Sequence, residues 1–82
     1  MTNEQKYKMF SKLLKTLLPQ KFDEIDSVEV KDMKSNYKPF FVVVIYVDGT
    51  EQEQENEINH YIDEIVEHTG EKFDYYVRFI CL

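Results

Sequence analysis

Two histidines and a glutamate, His60, Glu64 and His68, stand four residues apart in the second half of the chain. On a helix this spacing sets neighbouring side chains side by side, so a divalent cation could bridge one His and the Glu. No cysteine and no third convergent ligand accompany either pair, and the surrounding segment is so acidic that a Glu beside a His carries little information. We therefore expect solvated helix surface here, with no metal site and no cofactor.

The chain has three serines and one cysteine, and the candidate nucleophiles among them are Ser11, Ser27 and Cys81. Neither Ser11 nor Ser27 lies in a nucleophile-elbow sequence, and two glycines leave no glycine-rich loop to cradle a phosphate. A general acid needs a cleft that shifts its pKa, and 82 residues leave little room for one. We predict that the protein is not an enzyme and that Cys81 is a small apolar filler.

The charge is unevenly distributed along the chain, whose net charge is −6. Residues 1–39 carry eight Lys against six acidic residues, and residues 40–82 carry two basic residues against ten acidic ones. An acidic protein is a poor general binder of nucleic acid, because phosphate contacts supply most non-specific affinity. Two charged surfaces remain candidates: an acidic one of Glu51, Glu53, Glu55 and Glu57, and a basic one of Lys8, Lys12 and Lys15.

The first half of the chain predicts a helix over residues 3–18 and a strand over residues 25–31. Thr2 and Gln5 can form a capping box, and Pro19 is expected to stop the helix. The apolar residues between them fill one side of the helix, which predicts a core face, and the basic surface lies opposite. Residues 25–31 alternate apolar and charged side chains, which is typical of a half-buried edge strand.

The second half predicts a strand over residues 40–47, a helix over residues 50–69 and a strand over residues 73–81. Residues 40–47 are all apolar or aromatic, which is typical of a central strand. Thr50 and Glu53 suggest a capping box, and Gly70 suggests a C-cap. We predict one α+β domain, residues 1–82, with the order α-β-β-α-β. Its three-stranded mixed sheet has strand order 1-2-3, with both helices packed mainly on one face.

This order of elements resembles that of the type II KH domain, α-β-β-α-α-β, in topology only. The resemblance implies a nucleic-acid-binding domain, whose family clamps nucleotides with a Gly-x-x-Gly loop between two helices. One uninterrupted helix, residues 50–69, occupies that place, and no Gly-x-x-Gly occurs in it.

One sheet face is left without a helix, and a large exposed apolar patch commonly marks an interaction site. The alternative is that the first helix packs on that second face. The candidate partner interface is Phe41, Val43, Ile45, Tyr76, Ile80 and Leu82.

We expect a non-catalytic protein–protein interaction or assembly module, with a homo-oligomer as the leading case. A phage-encoded structural or accessory protein fits a composition rich in Lys, Glu, Asn, Ile and Tyr. One alternative is a small acidic inhibitor that imitates nucleic acid and acts on a host enzyme, and a second is the KH-like binder. Without a long apolar segment near residue 1, we expect a cytoplasmic protein, bacterial or in an infected host, or a virion component.

Overall fold

The computed structural model describes the whole chain, Met1–Leu82. In chain order it contains α1 (Asn3–Lys21), β1 (Ile25–Asp32), β2 (Phe40–Val47), α2 (Gln52–Thr69) and β3 (Asp74–Cys81). The predicted order α-β-β-α-β is confirmed. The main differences from the predicted bounds lie at the end of α1 and at the start of α2.

The helix α1 begins at the predicted capping box and ends later than predicted. The Gln5 amide donates to the Thr2 hydroxyl at 3.1 Å, and the Thr2 amide donates to the Gln5 side chain at 2.8 Å. The prediction that Pro19 stops the helix was wrong, because α1 continues to Lys21. A proline so near the C-terminus removes only its own hydrogen bond, while fully buried Leu18 anchors the last turn and accepts from the Phe22 amide at 3.0 Å.

The helix α2 starts one residue later than the predicted capping box implies. Its N-cap is Glu51, not Thr50, and the Glu51 amide donates to the Gln54 side chain at 2.9 Å. Thr50 instead donates its hydroxyl to Glu55 at 3.2 Å. At the other end, Gly70 is the C-cap with a φ of 70°, a left-handed conformation that glycine adopts without steric cost.

The strands form one mixed sheet with the order β1-β2-β3. β1 and β2 pair antiparallel, and β2 and β3 pair parallel. Parallel neighbours need a crossover connection, and α2 supplies it. β1 contains a bulge between Ile25 and Ser27. The predicted sheet topology is confirmed.

The core lies between the two helices and one face of this sheet. Phe10 lies among the aromatic residues of this core. Its ring centroid is 4.8 Å from that of Phe73 and 6.0 Å from that of Phe41. Every second residue of β2 is fully buried, and both helices contribute side chains at helical spacing. The main contributors are Phe10, Leu14 and Leu18 of α1, Val28 and Val30 of β1, Phe41, Val43, Ile45 and Val47 of β2, and Ile58, Ile62 and Ile65 of α2. Both helices therefore cover the same face. Neither helix has the length and apolar character needed to cross a bilayer.

Candidate functional site

The sheet face turned away from both helices is called the open face here. Directly paired residues of a sheet point to the same side, so the strand register defines its members. They are Ser27, Glu29 and Lys31 of β1, Phe40, Val42, Val44 and Tyr46 of β2, and Asp74, Tyr76, Arg78 and Ile80 of β3. No helix or strand packs on this face, because the chain has no third layer.

An apolar row from β2 runs down the middle of the open face. Val44 is only 5% exposed although no helix covers it. Its neighbours across the sheet are Glu29 and Arg78, whose aliphatic stems can lie along it. Tyr46 donates its hydroxyl to Glu29 at 3.5 Å, and Tyr76 is 60% exposed. The apolar centre is therefore shielded only by long side chains that can move aside.

The charges that flank this row are balanced. β1 contributes Glu29 and Lys31, and β3 contributes Asp74 and Arg78, so each flank carries one acid and one base. The register-paired residues of the open face therefore carry no net charge, within a protein of net charge −6. Because the excess negative charge lies elsewhere, the open face can approach another acidic surface with little repulsion.

The structure does not bring the six residues of the predicted partner interface onto one face of the sheet. Phe41, Val43 and Ile45 are fully buried under the helices, on the opposite side of β2 from the open face. Tyr76 and Ile80 do lie on the open face. Leu82, 70% exposed, follows β3 directly and continues its alternation.

This division between two faces has a simple physical cause. A shift of one residue exchanges the two faces of a strand, and eight consecutive apolar side chains in β2 give no alternation to fix its orientation. The residues that were missed are Phe40, Val42, Val44 and Tyr46. A signal was present in β1, where Val28 and Val30 mark the core side, but the residues 33–39 between the strands left the hairpin register open.

The acidic candidates of α2 do not form one surface. Residues two apart on a helix point about 200° apart, so Glu51 and Glu55 share one side while Glu53 and Glu57 share another. Glu51 is the N-cap, and Glu55 is half-buried and accepts the Thr50 hydroxyl. The four carboxylates are thus divided between two sides of the first turns of α2.

The basic candidates of α1 do share one side of their helix. Lys8, Lys12 and Lys15 are all exposed, and Lys8 pairs with Glu4 at 3.3 Å. Three lysines on one short helix make a modest positive stripe, of which one member is already paired.

The histidine pair is solvent-exposed. His60 and Glu64 approach to 3.2 Å, with 78% and 54% of their side chains exposed. No group of three His, Cys, Asp or Glu side chains converges to hold a metal ion anywhere in the chain. His60 and Glu64 therefore form an exposed helix-surface pair without a third ligand.

A second apolar concavity lies between the outer sides of α1 and α2. It has a volume of about 610 Å³, and its apolar lining is Met9, Leu13, Leu17, Tyr61 and Ile65. These side chains pack against the core, and Glu64 and His68 line the same groove. The groove is therefore part of the seam between the two helices.

No protein-family model matches the chain, and no curated protein or solved structure does either. The open face is therefore interpreted from its own chemistry. A continuous apolar row with balanced charges on both sides suits a protein surface, which provides apolar contact at the centre and charge pairs at the rim. The open face contains no cavity that would enclose a small molecule.

Proposed function

We propose that this protein is a non-catalytic assembly module that associates with a second copy of itself through the open face. The observation that carries the proposal is the apolar row of β2 that no helix covers, between two charge-balanced flanks. Burial of such a row is favourable by about 25 cal/mol for each Å² of apolar surface removed from water.

The charge arrangement supports a second copy as the occupant. Two molecules of net charge −6 repel each other through most of their surfaces, and the neutral open face reduces that repulsion. Each flank offers both signs, so a two-fold arrangement can place acids of one copy near bases of the other. Stacked sheets pack about 10 Å apart, close enough for the two β2 rows to meet.

The setting that we propose is a reducing cytoplasm, in a bacterium or an infected host, or a particle assembled there. The single cysteine, Cys81, is unpaired and exposed, so the prediction that it is a small apolar filler was wrong, and a free exposed thiol suits such a compartment.

The test is sedimentation velocity of Val42→Asp, with Val66→Asp as the matched control. Val42 is half-buried on the open face, and Val66 is half-buried on α2, so both changes place the same charge at a half-buried position. We expect Val42→Asp to weaken association at least tenfold and Val66→Asp to leave it unchanged. Equal association of the wild type and Val42→Asp at every concentration would refute the proposal. Circular dichroism of both variants checks that they remain folded.

The alternative of a small acidic inhibitor that imitates nucleic acid is less well supported, because the four candidate glutamates point to two sides of α2. A KH-like role has no loop between helices at which to hold a nucleotide, since α2 is continuous from Gln52 to Thr69.

A further inference from the structure

The strand β3 leaves one side of its backbone without a partner. The Asp74 amide donates to Pro39 and the Leu82 amide donates to Val47, both at 2.9 Å, so the even-numbered residues of β3 bond to β2. Backbone groups of successive strand residues point to opposite sides. Those of Tyr75, Val77, Phe79 and Cys81 therefore point out from the free edge of the sheet.

The edge of β1, by contrast, is protected. It carries a bulge at its start, α1 packs beside it, and the Tyr7 hydroxyl donates to the Val30 carbonyl at 2.9 Å. Bulges and covering elements are the usual means by which proteins block unwanted strand pairing.

The free edge of β3 lacks these protections. β3 has eight residues with no proline, lysine or bulge. A groove of about 490 Å³, lined by Asn59, Asp63 and residues 73–77, separates it from α2 and leaves room beside the strand. An incoming strand can therefore reach the outward backbone groups.

We propose that the free edge of β3 pairs antiparallel with β3 of a second copy, about a two-fold axis at Tyr76. About this axis, residues whose backbone groups point outward face each other. Tyr75 faces Val77 of the second copy, and Val77 faces Tyr75 of the second copy. Each such pair exchanges two backbone hydrogen bonds. The contact uses the edge of the sheet, so it does not depend on the stacking of open faces proposed above.

Charge complementarity selects both the occupant and the register. The axis at Tyr76 sets Asp74 directly opposite Arg78 of the second copy, and it does so twice. These are non-hydrogen-bonded pairs, in which side chains approach most closely, and opposite charges there are stabilising. An axis at Arg78 would instead oppose two arginines, and an axis at Val77 would set Asp74 against an isoleucine. The same strand is thus complementary to itself.

The edge pairing would join two sheets into one of six strands with all four helices on one side. The two open faces would then become a single larger surface. Stacking of two such dimers through that surface would give a closed tetramer in which residues 74–78 of every β3 are paired.

The test is disulfide cross-linking of Tyr76→Cys in a Cys81→Ser background. Facing residues of a non-hydrogen-bonded pair have Cα atoms about 4.5 Å apart, within the range that a disulfide spans. We expect a mild oxidant to produce a covalent species of twice the 9.9 kDa chain mass. The matched control is Ile80→Cys in the same background, on the same strand and face. In this register the two Ile80 positions lie about 27 Å apart along the strands, so no cross-link should form.

A third variant separates the two proposals. Adding Val42→Asp to the Tyr76→Cys chain disrupts the open face but not the β3 edge, so the cross-link should persist. Loss of the cross-link in that variant, an equal yield when Ile80→Cys also carries Val42→Asp, or no cross-link from Tyr76→Cys would each overturn the edge pairing. Failure of open-face stacking alone would appear differently, as a cross-linked dimer whose further association is unaffected by Val42→Asp.

Discussion

Val42 and Val43 are adjacent in β2 and lie on opposite faces of the sheet, which makes them a sensitive test of the fold. Val43 is fully buried beneath the helices, and Val42 is half-buried on the open face. Replacing each with Ala removes the same atoms from the same strand, so any loss of intrinsic strand propensity largely cancels. The difference in stability between the two variants therefore reports the difference in burial between the two positions.

The expected magnitudes follow from this burial. Val43→Ala removes two buried methyl equivalents at about 0.8 kcal/mol each. A residual cavity of roughly 40 Å³, at about 24 cal/mol per Å³, adds about 1 kcal/mol. The free energy of unfolding should fall by about 2.5 kcal/mol. Val42→Ala loses about half of the transfer contribution and leaves no enclosed cavity, so the expected loss is about 0.8 kcal/mol.

The assay is urea unfolding followed by circular dichroism at low micromolar concentration, with thermal unfolding as a second measurement. For a domain of this size each kcal/mol shifts Tm by about 4–8 °C, so the two variants should differ by about 10 °C. Repeating the measurement at a hundredfold higher concentration adds a second comparison. If copies stack through the open face, the Val42→Ala loss should grow with concentration, because association stabilises the folded state by mass action.

Equal losses from the two variants at low concentration would refute the reasoning. They would mean that the open face is covered within the single chain. A larger loss from Val42→Ala would mean that β2 turns the opposite side to the helices. A Val42→Ala loss that does not depend on concentration would remove support for self-stacking while leaving the fold assignment intact.

Two further changes test single features of the fold. Tyr7→Phe should lower the free energy of unfolding by about 1 kcal/mol in urea unfolding, because it removes the hydrogen bond to the Val30 carbonyl but keeps the ring. A loss of less than about 0.3 kcal/mol in the free energy of unfolding would argue against that hydrogen bond. Gly70→Ala should cost about 1 kcal/mol, since φ is 70° and an added Cβ meets no atom within 4 Å, which leaves only conformational strain. Gly70→Asn should recover part of that loss in the same assay, and identical losses from the Ala and Asn variants would contradict the left-handed cap.

The elements of this protein could be predicted from the sequence because their signals are local. Thr2 and Gln5 are three residues apart, the apolar side chains of α1 repeat at helical spacing, and Gly70 marks the end of α2. The order of elements then restricts the sheet, since a helical crossover makes β2 and β3 parallel. The end of α1 was misplaced because the local penalty at Pro19 is offset by burial of Leu18, which is a tertiary effect.

The candidate site, by contrast, depends on which side of β2 meets the helices. The sequence of β2 is apolar on both sides, so nothing local distinguishes Val42 from Val43. Only the pairing of Val30 with Val43, and of Val43 with Val77, decides that Val43 enters the core. The same pairing brings Glu29, Lys31, Asp74 and Arg78 from distant parts of the chain onto one neutral face. The sequence by itself therefore determined that a central apolar strand exists, and the tertiary structure decided which of its two sides is left open, because strand register is a long-range property.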